Sequence, residues 1–361
     1  MGNTYPITGM SGRFPISSCL HTYNYTRKNE ENEMAYNRLF NPATWDDVNS
    51  ENKELLDDYI LELKSNGKSE KTIYQYVTDI KGFYSWVYDN AKNKNVLDLK
   101  KRVFRNFFLY MQEHNASSAR INRLQSSIRN LLEFASQDED EYDYDVNAMR
   151  SIKSMKGEKV RDIVFLTDEQ VTKIIDYLLK EKQYQKALYV SLSYDSAARR
   201  NEVAQVEKHG FVENNQTNQV VGKRAKKFNL IYFKRTQDIA KLWLEQRGED
   251  DIDSLWANIR GKEHTEVSYD TFYSWAVSLR KILHDIDGSD LEINSHSFRH
   301  SALESYSQGT HYALAEMGRE GKKLDLNTLR VIAHHTDVST TQNYLENHDD
   351  ELIEKAFGIS L

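Results

Sequence analysis

The chain has 361 residues, 29% of them Asp, Glu, Lys or Arg, and a formal net charge of −7. That length holds two domains with real cores, and the single cysteine, Cys19, excludes a disulfide framework. No apolar run approaches the ~18 residues of a membrane span and no signal-peptide pattern opens the chain, so the cytoplasm is the expected compartment.

The negative balance, taken whole, argues against a nucleic-acid partner. Charge acts locally, however, because screening limits its reach to about 8–10 Å at physiological salt. Residues 92–129 carry nine Lys/Arg against two acids, Asp98 and Glu113, and residues 223–235 carry six with no acid. The acidity is concentrated at 138–145, 249–253 and 349–354.

Residues 1–45 hold all three prolines (Pro6, Pro15, Pro42) and little periodicity, which predicts a loosely ordered arm. Four amphipathic stripes follow, typified by Leu55/Tyr59/Leu63, Ile80/Phe83/Val87, Val103/Phe107/Met111 and Ile121/Leu124/Ile128/Leu131. They predict a small helical bundle over 46–137, the stripes forming its core. Arg120, Arg123 and Arg129 stand between the stripes as candidate phosphate contacts. Residues 138–145 contain six acids and no base, a run that no packed element should contain; 150–161 then turns basic. An inter-domain linker is expected at 138–163, its basic half available to a phosphate backbone.

The second domain is expected over 164–361. Thr167 with Gln170 forms a capping-box pair ahead of Val171, Ile174, Ile175 and Leu178. Further helices are expected at about 185–194, 269–286, 297–307, 326–333, 342–347 and 350–357, and a β-hairpin over 219–234 with a basic centre. The predicted fold class is mainly α with a small β-sheet (α+β).

Four stretches bear chemistry. Ser196-Ala197-Ala198-Arg199-Arg200-Asn201-Glu202-Val203 sets Arg199 and Glu202 three apart, a spacing that alone ordinarily marks a surface ion pair. Gly222-Lys223 lies in the expected hairpin, followed by Lys226 and Lys227. Ser295-His296-Ser297-Phe298-Arg299-His300-Ser301 puts His296 and Arg299 on one helical face. A metal reading of His296 is weak, since no second His, Cys or acid stands at ligand spacing. In 333–344, His334 and His335 precede Tyr344 across a polar run that reads as a loop.

In this order the four stretches resemble the catalytic signature of the tyrosine recombinases, the phage-integrase family. Its marks are a Thr-Gly-Leu-Arg-x-Ser-Glu-Leu box, a hairpin Lys, His-x-x-Arg, and a late His followed by Thr-Thr-x-x-Tyr. The likeness spans roughly 50–361 and implies a helical core-binding domain followed by a catalytic domain. It implies catalytic roles for Arg199, Lys223, His296, Arg299, His335 and Tyr344, with Glu202 bracing Arg199. Lys226 is the alternative to Lys223. Ala333-His334 replaces the family's Leu-Gly, which leaves open which histidine is catalytic; the nine-residue spacing to Tyr344 favours His335. The stretch 306–325 is longer than the family's usual, which suggests an inserted helix.

The chemistry suits these residue types. Tyrosine is a weak nucleophile at its ordinary pKa of ~10 and needs a base and a cationic site. Attack on a phosphodiester gathers charge on two non-bridging oxygens, which two guanidinium forks match without a metal or other cofactor. The leaving 5′-oxygen needs a proton, the role implied for Lys223, and His296 would take the proton of Tyr344. His335 would hydrogen-bond the phosphate.

The implied function is a site-specific DNA recombinase (integrase) working through a 3′-phosphotyrosine. The implied partner is double-stranded DNA, contacted through Arg120, Arg123, Arg129, Lys226 and Lys227. A homotetramer on DNA would exchange C-terminal segments, with a monomer or dimer when free. The setting implied is a bacterial or phage-encoded, nucleoid-associated protein. The alternatives are a DNA-binding transcriptional regulator that keeps the fold without the activity, an all-α interaction scaffold, and a topoisomerase-like or telomere-resolving enzyme with the same chemistry.

Overall fold

The computed structural model describes residues 39–138, 140–157, 163–211, 215–261, 263–335, 338–342 and 345. Most of the expected arm (1–45) and the expected helix at 350–357 lie outside these residues. The chain divides into two units, Met1–Val160 and Arg161–Leu361.

In the first unit the four expected stripes become α1 (Ser50–Ser65), α2 (Glu70–Asn90), α3 (Lys101–Glu113) and α4 (Ser118–Ala135). Three starts carry side-chain caps: Asn49 accepts from Glu51 N, Ser69 from Thr72 N and Ser117 from Arg120 N. Phe83, Phe104, Phe107, Met111, Ile121, Leu124 and Leu131 are fully buried where the helices meet. Buried Asn52 donates to Lys94 O and accepts from Val96 N, holding the α2–α3 connection on α1.

The acidic stretch runs through turns and irregular backbone with no helix or strand among its described residues, while its tyrosines reach the bundle. Tyr142 and Tyr144 pack against the bundle core, Met149 is fully buried, and Tyr142 OH donates to Asp58 at 2.5 Å. Arg150 pairs with Glu133 at 2.6 Å. Counting acids missed the interleaved tyrosines, whose rings gain more by burial than the neighbouring, solvated carboxylates lose.

The second unit is built around α6 (Tyr184–Ser196), every residue of which from Ala187 to Ser196 is buried. It packs against α5 (Asp168–Lys180), which opens with the expected capping box of Thr167 and Gln170, and is followed by the single turn α7 (Arg200–Val203). β1 (Gln216–Val221) and β2 (Lys227–Ile231) form the expected antiparallel hairpin, with Val220 opposite Phe228 and Val221 opposite Lys227. Helix α8 (Lys234–Arg247), which also packs on α6, and a second hairpin, β3 (Ala257–Arg260) with β4 (Glu263–Glu266), were not foreseen. The α8 signal is thin because only Ile239, Ala240 and Trp243 mark its inner face, among charged neighbours. Then come α9 (Tyr269–Asp287), α10 (Ser297–Gln308), α11 (Tyr312–Glu316), α12 (Leu326–Ile332) and α13 (Val338–Gln342). Helix α11 falls within the extended 306–325 stretch. The polar run expected as a loop is helical over Val338–Gln342, and the rest of the helix expected at 342–347 is, apart from residue 345, outside the described residues.

Candidate active site

The site is assembled at the ends of α6 and α12 and at the start of α10. At the C-terminus of α6 the chain turns through Ala197, which adopts a left-handed φ of 50°. That turn is held from behind by the fully buried Asp195. Its carboxylate accepts from Phe233 N (3.0 Å), Thr236 Oγ1 (2.6 Å) and Tyr312 OH (2.7 Å), and its carbonyl accepts from Tyr306 OH (2.7 Å). Burial pushes its carboxyl up to about 6 despite the hydrogen bonds and the nearby Arg235 cation.

Beyond the turn, Arg199 caps α7. The buried Glu202 accepts both from Arg199 N (2.7 Å) and from its Nη1 (2.9 Å), so one carboxylate fixes the backbone and the guanidinium together. Arg199 keeps 26% of its side chain exposed while Glu202 keeps 1%. The pair is therefore not the surface ion pair its spacing would ordinarily make; it is a cation aimed outward by a buried anion.

Arg299, on the first turn of α10, is completely buried. Its Nη1 donates to Ala197 O; its Nη2 donates to Ala333 O at 2.7 Å and meets His335 Nε2 at 2.6 Å. One guanidinium thus joins the α6 turn, the end of α12 and the histidine that follows it. An arginine can only donate, so His335 Nε2 accepts and the ring proton sits on Nδ1, facing Thr341 Oγ1 of α13 at 2.9 Å. Burial, then the cations of Arg299 and Arg199, push His335 down to about 3, which leaves it neutral at pH 7.

His296 caps α10 and retains an exposed edge. Desolvation by its surroundings and the cations of Arg299, Arg199 and Arg200 hold its imidazole below the ordinary range. The structure therefore brings Arg199, His296, Arg299 and His335 into one cationic cluster, with Glu202 behind it. Lys223 is exposed in the turn of the β1–β2 hairpin, tied to the same cluster through Gly222. A Cβ on Gly222 would fall 2.6 Å from the Phe228 ring and 3.2 Å from Glu202 Oε1, so only glycine fits there. Tyr344 lies outside the described residues.

The proposed phosphate contacts divide. Lys226 and Lys227 are exposed on the hairpin. In the first unit, Arg120 and Arg123 both bond the buried Asp79, Arg123 at 3.2 and 3.3 Å, leaving 17% and 45% of their side chains exposed. Arg129 donates to Met149 O and Ile152 O.

Two contributors escaped the sequence reading. Gln205 bonds both N and O of Val221 (2.9 and 3.0 Å), tying the hairpin to the segment after α7. Arg200 stacks on Tyr269 at 3.9 Å and projects its charge toward His296. Arg200 could have been noted as the neighbour of Arg199; nothing in the sequence signals Gln205, because its partner is a backbone 16 residues away.

Residues 164–351 match the phage integrase family, and residues 55–139 match the N-terminal SAM-like domain of phage integrases. The chain belongs to the phage integrase family. It is a site-specific recombinase of the tyrosine type. A curated relative, the SPbeta prophage-derived recombinase-like protein YomM of Bacillus subtilis (strain 168), is 25% identical over 328 residues, covering 86% of this chain and 91% of the relative. Among solved structures, a lambda integrase dimer bound to a core site superposes with a TM-score of 0.61 at 15% identity, covering 82% of this chain and 77% of that one. The XerH site-specific recombinase in a post-cleavage complex with palindromic difH gives 0.61 at 17%, covering 82% of each chain. The Tn1549 transposon integrase in complex with circular intermediate DNA gives 0.60 at 13%, covering 84% and 98%. At these identities the likeness is one of fold.

Proposed function

We propose that this recombinase cleaves and rejoins double-stranded DNA through a 3′-phosphotyrosine on Tyr344. The observation that carries this reading is the buried Arg299. A guanidinium at zero exposure, fastened to Ala197, Ala333 and His335, adds its charge to that of Arg199 beside His296 and His335, an electrostatic setting that a phosphate complements. Arg199 and Arg299 take the two non-bridging oxygens. His296, neutral at pH 7, accepts the phenolic proton of Tyr344 as its oxygen attacks phosphorus, and His335, whose Nε2 accepts from Arg299 and whose Nδ1–H faces Thr341, holds the Arg299 fork in place. Lys223 gives a proton to the departing 5′-oxygen. The new phosphotyrosine ester keeps the energy of the bond broken, so rejoining needs no nucleotide cofactor.

Lys226, Lys227 and the exposed part of Arg123 supply phosphate contacts. The lambda integrase and Tn1549 integrase structures contain DNA, and one lambda integrase structure is a tetramer on a Holliday junction. A tetramer on two DNA sites, exchanging C-terminal segments, is the assembly proposed here.

The test is covalent capture. Wild type is incubated with a nicked random-sequence duplex library and the mixture is denatured; a protein–DNA adduct with a 3′ linkage is expected, and EDTA should leave its yield unchanged. Tyr344→Phe should retain DNA binding and form no adduct. An adduct persisting in the Phe variant would remove Tyr344 from the mechanism.

A further inference from the structure

His334 adopts a φ of +55°, a left-handed conformation in which glycine is unstrained and a side chain is unusual. Its imidazole lies flat on the ring of Phe228, with centroids 3.7 Å apart and planes 19° from parallel. The Phe228 ring in turn closes over Gly222, which has no space for a Cβ, and Gly222 N donates to Lys226 O to shut the hairpin turn. The other flank of Gly222 is the Glu202 carboxylate that orients Arg199. Val221, one residue earlier, is clamped by Gln205. Lys223 thus follows a backbone wedged between Glu202 and Phe228, and the only described ring stacked on Phe228 is that of His334.

We propose that His334 is a positioning residue, whose ring presses Phe228 onto Gly222 and so fixes Lys223 where it can protonate the leaving oxygen. This rests on the role assigned above to Lys223. The imidazole acts as a surface; burial, Lys226, Arg299 and Arg199 hold it at about 4, so it carries no charge at pH 7 with which to serve as a second phosphate ligand. It links two segments that the backbone does not join locally: the α12 terminus, which delivers His335, and the hairpin, which delivers Lys223. An expectation from sequence alone would be that glycine at 334 leaves activity intact or improves it, by relieving the backbone. The stack predicts the reverse.

The experiment separates the proton-donating step from the rest of catalysis. Duplexes captured by the wild type are resynthesised with oxygen or with sulfur at the scissile 5′-bridging position. A thiolate departs without a proton, so a defect confined to general-acid delivery vanishes on the sulfur substrate. Single-turnover cleavage is measured for wild type, Lys223→Ala, His334→Gly, His334→Phe and Phe228→Ala. Lys223→Ala should lose about 10²–10⁴-fold on oxygen and recover on sulfur. His334→Gly and Phe228→Ala should each lose about 10–10²-fold on oxygen, the scale of a displaced but present catalytic group, and recover on sulfur. His334→Phe, which keeps a ring without its nitrogens, should stay within about threefold of wild type on both.

Wild-type cleavage of the oxygen substrate by His334→Gly overturns the proposal. So does a loss that sulfur fails to restore while restoring Lys223→Ala. If sulfur restores none of the variants, including Lys223→Ala, the general-acid role of Lys223 falls and the proposal with it. Phe228→Ala breaks the same stack from the other side and keeps the test decisive should His334→Gly fold poorly.

Discussion

At the scale of the residue, Arg299 and Arg199 look equivalent in sequence and are not. Arg299 has no exposure and bonds three acceptors on two segments, Ala197 O on one and Ala333 O with His335 Nε2 on the other, so it is a tie as well as a positive charge. An ammonium cannot span those acceptors as a planar fork does. Arg299→Lys should therefore lower stability by roughly 1–3 kcal/mol for each carbonyl left unpaired, and cleavage by about 10²–10³-fold. Arg199, partly open to solvent and leaning on Glu202, should lose comparable cleavage on change to Lys while melting close to wild type. Thermal melts beside single-turnover cleavage read both effects. An Arg299→Lys variant with wild-type melting would show that the three bonds do not hold the segments together.

At the scale of the element, Arg120 and Arg123 of α4 share a face of the bundle with a buried acid. Asp79 is wholly inaccessible and takes bonds from Gln75, Arg120, Arg123 and Ser127. Removing Arg120 withdraws one of two cations from that carboxylate, so Arg120→Ala should destabilise the first unit by roughly 1–3 kcal/mol. Lys226→Ala and Lys227→Ala should instead leave melting unchanged and each shrink the slope of log K against log salt by about one unit. Arg123, nearly half exposed, should do some of both. DNA-binding isotherms at several salt concentrations decide this. An unchanged slope in both lysine variants would return the hairpin charges to the role of solvated surface.

At the scale of the whole molecule, the second unit buries imidazoles that the unfolded chain exposes. His311, stacked between Tyr194 and Tyr306, and His335 are held at about 3, and His334 at about 4, each chiefly by burial. Between about pH 6.5 and those values the unfolded chain binds more protons than the folded one, so stability falls as pH falls. Asp195, pushed up to about 6, has the opposite sign between about pH 4 and 6, and offsets one of the three. Acidification from pH 7 to pH 4 should therefore lower the denaturant midpoint of this unit. His311→Asn, which keeps a side-chain acceptor for Ala313 N, should flatten the dependence by about one proton. A slope unchanged in that variant would mean His311 titrates normally in the folded state.

Much of this protein was legible in its sequence because the signals are local. The stripes of α1 to α4, the capping box of Thr167 and Gln170, and the hairpin around Gly222 each follow from spacing within one element. The set of chemical groups proposed for the site came from residue type, which limits what each can do to a phosphate. What only the tertiary structure decided depends on partners far apart in the chain. Arg120 meets Asp79 across 41 residues, Arg299 meets Ala197 across 102, and Tyr142 docks on Asp58 across 84. His334 and Phe228 stack although neither stands near the other in sequence. Burial and pairing are properties of the closed chain: whether a charged side chain is a tool, a tie or a solvated ornament is decided by what folding brings against it.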